Sequence, residues 1–250
     1  MARLALALFG LALLLVLLAW FQVIPGGWRL RNLIEDPARR ERRLLLDHRA
    51  ERLAAFRRES TPIAPGTVLF IGSSTIERFP LSDCFPGKGL LNRGIGGESA
   101  ELMLARLDES LPAGRERLAA AVVYAGTIDF RKERVDAAEA SRRLARLVDA
   151  LRDRVRADLP VLLLGPLPGN EDDDRYRGAG LLELEGAYRR LATERGLDFL
   201  PLARAPFRAA DGGLEPRLAV DRWHLDAAGY RLLAELIRTE GGDVGRLLGP

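Results

Sequence analysis

The stretch Val68-Leu69-Phe70-Ile71-Gly72-Ser73-Ser74-Thr75-Ile76-Glu77 decides how the rest of the chain is read. Four consecutive apolar residues, three of them β-branched or aromatic, predict a strand buried on both faces, as in the middle of a parallel sheet. The strand stops at Gly72. Three hydroxyl residues follow, then Ile76-Glu77-Arg78, so the chain turns and starts a helix capped by Ser73, Ser74 or Thr75. In open parallel sheets ligands bind outside the carboxyl ends of the strands, and a helix N-terminus there favours developing negative charge. The turn therefore suits a nucleophile, although a structural capped turn would look the same. The elbow G-x-S-x-G is absent because Ile76 stands two beyond Ser74, and no phosphate-binding loop of the G-x-x-x-x-G-K-[ST] kind is present.

Downstream the same punctuation recurs. Leu90-Leu91-Asn92 predicts a second strand, followed by the glycine-rich Arg93-Gly94-Ile95-Gly96-Gly97-Glu98-Ser99 and a helix with Leu102, Met103, Leu107 and Leu111 on its apolar face. Ala119–Ala125 predicts a third strand, ending at Gly126-Thr127-Ile128-Asp129-Phe130. A helix over about residues 136–157 has Leu144, Leu147, Val148, Leu151 and Val155 at helical spacing. Pro160–Leu164 predicts a fourth strand, broken by Gly165-Pro166-Leu167-Pro168-Gly169-Asn170. The acidic run 171–174 reads as a solvated loop or helix start. Residues 176–195 predict another helix and 197–200 a fifth strand, and Asp221–Tyr230 leads into a final amphipathic helix with Leu232, Leu233, Leu236 and Ile237. Strands alternating with helices imply right-handed βαβ units in an α/β, three-layer α/β/α sandwich around a central five-stranded parallel sheet, flavodoxin-like in order.

Upstream, residues 4–24 are apolar apart from Gln22, and Pro25-Gly26-Gly27 ends the run. Twenty-one residues at about 1.5 Å each reach roughly across the hydrocarbon of a bilayer. Arg3 precedes the run, Trp20 and Trp28 lie where interfacial aromatics belong, and a cleavage site after Ala19 would put Leu17 where a small residue is wanted. The expectation is a single-pass N-terminal transmembrane helix. Arg29, Arg31, Arg39, Arg40, Arg42 and Arg43 would by count keep the domain cytoplasmic, whereas the short tail before the apolar run resembles an export signal; the expectation is an extracytoplasmic, periplasmic-side domain. Residues 25–60 then read as a charged amphipathic juxtamembrane helix and linker, starting at Asp36-Pro37 and containing His48 as a solvated residue, and residues 61–250 as the globular domain.

Composition excludes several classes. The chain has 250 residues, 48% of them hydrophobic, enough for one sizeable domain and an appendage. Its 38 basic and 35 acidic residues are dispersed, and with Lys88 and Lys132 its only lysines the basic character is arginine-rich, without the aromatic interleaving of a nucleic-acid surface. Cys84 is alone, so no intrachain disulfide forms.

A serine nucleophile needs a base, and the predicted domain has one histidine. Asp221 and His224 stand three apart at a turn before a helix, so the carboxylate can reach one ring nitrogen and leave the other to a hydroxyl; alternatively Asp221 caps the helix and His224 packs on Trp223.

Together these pieces resemble the SGNH (GDSL-type) hydrolase superfamily of esterases and lipases, over about residues 67–237. Gly72-Ser73-Ser74 resembles the first block, with Ser74 at the nucleophile position. Asn92-Arg93-Gly94-Ile95-Gly96-Gly97 resembles the second, whose last glycine, Gly97, supplies an oxyanion-hole amide, and Asp221-Arg222-Trp223-His224 resembles the D-x-x-H block. One block departs: Gly126-Thr127-Ile128-Asp129 aligns with G-x-N-D, and Ile128, which cannot donate a hydrogen bond, replaces the oxyanion asparagine. The resemblance implies ester hydrolysis by a Ser74-His224-Asp221 triad, with the Ser74 and Gly97 amides as oxyanion donors. It implies no cofactor or metal, and a small-molecule, lipid or glycan ester as substrate. Asn170, at the end of the fourth strand, is the nearest candidate by topology should another group replace that oxyanion donor. An acyltransferase, a silent binder of glycans or acyl chains, and a flavodoxin-like electron carrier using Ser73-Ser74-Thr75 are the rival readings, the last leaving Asp221 and His224 unexplained.

Overall fold

The structure, a computed structural model, describes residues 2–21, 23, 25, 35–59, 63–170 and 174–249. It divides into two compact units, residues 1–50 and 51–250.

The second unit holds the sheet. Its strands are β1 (Val68–Gly72), β2 (Leu90–Gly94), β3 (Ala120–Tyr124), β4 (Val161–Leu164) and β5 (Asp198–Leu200), all parallel, in the order β2-β1-β3-β4-β5. Every residue of β1, β3 and β4 is buried, as their unbroken apolar runs predict. Alternation then assigns each side chain to a layer. Leu69, Ile71, Ala121, Val123, Val161 and Leu163 meet the helices Ala100–Ala105, Ala137–Val155 and Ala179–Arg195; Val68, Phe70, Ala120, Val122, Leu162 and Leu164 meet Phe79, Phe85 and the helices Ala227–Glu240 and Gly242–Leu248. The result is the expected three-layer α/β/α sandwich. Gly72 pairs in register with Gly94 on one side and Tyr124 on the other, so the turns after β1, β2 and β3 start level with one another. Chain order reverses at β1, the switch point where ligands bind in such sheets.

Three local features depart from the expectations. The helix after β2 breaks into Ala100–Ala105 and Leu107–Ser110, because Arg106 is fully buried: it pairs with Glu98 at 2.5 Å and donates to the Arg93 carbonyl at 3.0 Å. Leu102 accordingly faces out, while Met103 and Leu107 enter the core. The final helix ends at Gly241, and a further helix, Gly242–Leu248, packs Val244 and Leu248 into the core. The compact unit begins at Glu51, so the last two turns of the helix Pro37–Arg58, read from sequence as linker, belong with the domain; Leu53 and Phe56 are buried among its residues.

In the first unit, Asp36 caps the helix Pro37–Arg58 through the Ala38 and Arg39 amides at 3.0 and 3.1 Å, as its Asp-Pro start predicts. The expected transmembrane segment, residues 4–24, is helical over Ala2–Trp20. This helix ends short of the predicted span, and among the described residues no helix is long and apolar enough to cross a membrane. Gln22, Ile24, Trp28, Arg29 and Arg31 lie outside the described residues, as does most of the acidic run 171–174.

Candidate active site

β1 delivers its chain to the sheet edge at Gly72, where a Cβ would fall 2.5 Å from Ile76 Cγ1 and 2.6 Å from the Tyr124 carbonyl oxygen; only glycine lets the chain turn this tightly into Ser73 and the one-turn helix Ser74–Glu77. Ser73 is buried, and its amide donates to the Tyr124 carbonyl. Ser74, one residue on, is half-buried and faces the last loop of the chain.

That loop is shaped by Asp221. Its Oδ1 accepts from the Trp223 and His224 amides at 2.8 and 2.9 Å, an Asx turn that brings the His224 ring back over the same carboxylate. His224 Nδ1 lies 2.7 Å from Asp221 Oδ2, and Nε2 lies 3.0 Å from Ser74 Oγ. The three sequence-predicted residues thus meet in a hydroxyl–imidazole–carboxylate chain, although Ser74 and His224 stand 150 positions apart. Capping of the final helix, the alternative use of Asp221, falls instead to Asp226, which accepts from Gly229 N at 2.8 Å. Burial pushes the Asp221 carboxyl up, but the His224 ring and the Trp223 and His224 amides outweigh it and hold the carboxyl below the usual range, so it is ionised at neutral pH. Arg78, one turn beyond Ser74, adds a cation 3.5 Å from Asp221 Oδ2.

Two further turns flank Ser74. After β2, Asn92 clamps the loop to the helix Ser74–Glu77: its Nδ2 donates to the Ile76 carbonyl at 2.7 Å and its Oδ1 accepts from Gly94 N at 2.9 Å. A Cβ on Gly96 would lie 3.6 Å from Ser74 Cβ, which sets the loop beside Ser74, and Gly97 has φ +78°. After β3, Gly126 turns with φ +84° into the helix Thr127–Arg131, which carries Ile128. Ser74 and His224 open onto a cleft of about 350 Å³, walled by Tyr124, Thr127, Ile128, Leu167, Tyr176 and Trp223 among others. Ile128 is thus where the sequence places it, in the wall, without a donor. Tyr124 at the floor accepts from Leu167 N at 3.3 Å; burial pushes its phenol up and keeps it neutral.

Asn170 is not in the cleft. Its Nδ2 donates to the Leu214 carbonyl at 3.2 Å and its backbone amide to Arg222, so its side chain braces a neighbouring loop. Among the described residues no cluster of three metal-ligating side chains exists. Sequence reading missed the wall on the far side: Arg131 stacks 3.8 Å over the Trp223 ring, which packs on Tyr176 and covers Gly169, where a Cβ would meet it at 1.9 Å. The readable signal was Trp223, inside the D-x-x-H block itself.

Known proteins resemble this chain in family and in fold. The family model described as GDSL-like lipase/acylhydrolase matches residues 78–232, which includes Asp221 and His224 and begins four positions after Ser74. No curated protein matches the chain. Among solved structures, a Streptococcus pneumonia protein provisionally described as a platelet activating factor is 26% identical with TM-score 0.70, covering 80% of this chain and 96% of its own. A Bacteroides fragilis protein provisionally described as an acylhydrolase is 20% identical (TM-score 0.66, 79% and 96% covered), and an acetylxylan esterase of Geobacillus stearothermophilus is 24% identical (TM-score 0.54, 73% and 97% covered); these two are similar in fold.

Proposed function

Because the chain belongs to the GDSL-like lipase/acylhydrolase family, we propose that it is a serine-dependent ester hydrolase whose nucleophile, base and orienting acid are Ser74, His224 and Asp221. The observation that carries this reading is the pair of contacts on one imidazole, 3.0 Å to Ser74 Oγ and 2.7 Å to Asp221 Oδ2. Asp221 fixes the tautomer with the proton on Nδ1, leaving the Nε2 lone pair to the serine hydroxyl. Ser74 Oγ attacks the ester carbonyl as His224 takes its proton, and the tetrahedral oxygen is held by the Ser74 and Gly97 amides. His224 then protonates the departing alcohol. Water repeats the sequence on the acyl-enzyme and releases the acid.

The substrate is a short-chain acyl ester. What supports this is the small enclosed space of the cleft, about 40 Å³ once its open mouth is left out, with a wall that includes Trp223 and Tyr176. The fold-level likeness to an acetylxylan esterase points the same way.

A fluorophosphonate probe tests the reading, because it reacts only with a serine activated in this manner. Labelling is expected at Ser74 alone. Ser74→Ala is expected to abolish it and to lower nitrophenyl acetate turnover by about 10⁴-fold or more, with thermal unfolding nearly unchanged. Labelling that survives Ser74→Ala and is lost in Ser73→Ala would move the nucleophile by one residue. Ile128 favours a second reading, a silent binder of acyl or glycan groups; wild-type protein that neither labels nor turns over would establish it. Acyl transfer to an added alcohol in preference to water would mark a transferase using the same triad.

Membrane attachment through residues 4–24, with the hydrolase domain on the extracytoplasmic side, is likewise our proposal. The exposure of Leu4, Leu6, Leu8, Phe9 and Leu11 on the helix Ala2–Trp20 supports the attachment. Full-length chain is expected in the membrane fraction, and its recovery in the soluble fraction would overturn the assignment.

A further inference from the structure

We propose that the last two turns of the helix Pro37–Arg58 position the loop after β2 for catalysis, with Arg52 as the positioning residue; the inference rests on the esterase reading above. The loop Gly94–Ser99 has one large apolar side chain, Ile95, and it is buried against Leu53 and Phe56 in a small cluster separate from both cores of the sheet. Arg52 reaches over this cluster. Its Nε and Nη2 donate to the Gly94 carbonyl at 3.2 and 3.1 Å, and Nε lies 3.5 Å from Glu77 Oε1. The other oxygen of Glu77 accepts from Gly96 N at 2.5 Å. One guanidinium and one carboxylate therefore tie together the end of β2, the amide of Gly96 and the helix that carries Ser74.

The ring of Phe56 anchors the arrangement from the other side. The Arg52, Arg93 and Arg106 guanidiniums lie 5.0, 4.5 and 5.7 Å from its centroid, and Arg93 and Arg106 are themselves buried. Arg106 holds Glu98 and the Arg93 carbonyl, the two ends of the same loop.

The loop needs such a frame. Glycines give it wide conformational freedom, while an oxyanion donor lowers the barrier only if it is fixed in place before the charge appears. A displacement of about 1 Å costs on the order of 10²-fold in rate. Arg52 does not line the cleft, so it acts through Gly94 and Glu77. It is partly exposed, and an ion pair of that kind contributes little to folding, which separates positioning from stability.

The test uses full-length Arg52→Ala and Arg52→Lys, read by kinetics and by amide hydrogen exchange. In Arg52→Ala, kcat on nitrophenyl acetate is expected to fall about tenfold or more, with KM within about twofold. The rate of fluorophosphonate labelling falls by the same factor, and the unfolding midpoint moves by no more than about 2 °C. Arg52→Lys, which keeps one donor for the Gly94 carbonyl, recovers part of the loss. The Ile95 and Gly96 amides exchange at least about tenfold faster in Arg52→Ala, while the amides of β1 and β3 do not change. Unchanged exchange at these two amides overturns the proposal. So does faster exchange with kcat unaltered, or a loss confined to KM. If the wild type neither labels nor turns over, the esterase reading falls by itself, and the exchange comparison still decides whether Arg52 restrains the loop.

Discussion

The turn after β2 and the turn after β3 flank the same serine, and each uses a glycine at positive φ, Gly97 at +78° and Gly126 at +84°. They are held by opposite means. The first is short of apolar side chains and is fixed by charge: Arg52, Glu77, Glu98 and Arg106 each bond its backbone or one another. The second is fixed by packing, with Ile128 and Phe130 buried and the Tyr188 hydroxyl so close over Gly126 that a Cβ would sit 1.9 Å from it. Asp129 joins the two, accepting from Ala100 N at 2.8 Å and from Arg143 at 3.2 Å, and burial pushes its carboxyl above the usual range. The difference follows from what each turn has to offer an oxyanion. In the proposed mechanism the turn after β2 supplies a main-chain amide, which any sequence retains so long as the loop keeps its shape. The turn after β3 would supply a side chain, and Ile128 has no donor to supply.

The sharpest way to break this comparison is to disturb the shape of the first turn without altering any of its donors. A Cβ on Gly94 would fall 2.1 Å from Glu77 N and 2.5 Å from Glu77 Cα, both backbone atoms that cannot swing aside. Gly94→Ala must therefore separate the loop from the nucleophile helix. Expected are a loss in kcat of roughly 10²-fold and a destabilisation of about 1–3 kcal/mol, read by steady-state kinetics and thermal unfolding. A loss below about threefold would mean that the loop's geometry is not tuned for catalysis, and the contrast with the turn after β3 would lose its meaning.

How much of this was legible depended on whether a residue's partners lie near it in the chain. Val68–Ile71 and Leu162–Leu164 read as central strands because strands buried on both faces are apolar throughout. Asp221 and His224 read as a pair because three residues and a following helix confine them to one turn, and Ser74 because its strand ends where ligands bind. The helix around Arg52 and Phe56 did not read as part of the domain, since an amphipathic arginine-rich helix looks solvated until its partners, 42 residues away at Gly94, are known. The break at Arg106 was hidden for the same reason: its counter-charge, Glu98, lies in the preceding loop, and nothing in the helix pattern shows that the pair is buried. Ile128 was legible as a departure, but the sequence could not show whether another donor had taken its place.

The second turn can be sharpened by restoring what it lacks. Ile128→Asn puts an amide into the cleft wall, where the side chain is 8% exposed and borders the same space as Ser74 and His224. One oxyanion donor is worth roughly 10²–10³ in turnover when correctly placed, and packing shaped for isoleucine will hold the new amide imperfectly, so an increase in kcat of about tenfold is expected. The measurement is kcat at saturating nitrophenyl acetate, with KM as the control. A decrease, with the fold intact, would show that the isoleucine methyls themselves shape the acyl site.

The smallest effect is expected at Asn170, and it bears on whether the missing donor has migrated. By topology Asn170 follows β4, next along the sheet from β3, which made it the nearest substitute. Its amide is committed elsewhere: Nδ2 donates to the Leu214 carbonyl at 3.2 Å, and Gly213 packs so tightly that a Cβ there would lie 1.9 Å from Asn170 Oδ1. To serve an oxyanion the side chain would have to leave both contacts. Asn170→Ala is therefore expected to cost about 1 kcal/mol of stability through the lost hydrogen bond, and to leave kcat within about twofold of wild type. A loss of 10²-fold or more in kcat, together with no gain from Ile128→Asn, would place the third donor on the β4 loop. The wall after β3 would then be apolar because its work is done from the neighbouring strand, and the contrast between the two turns would become one among three.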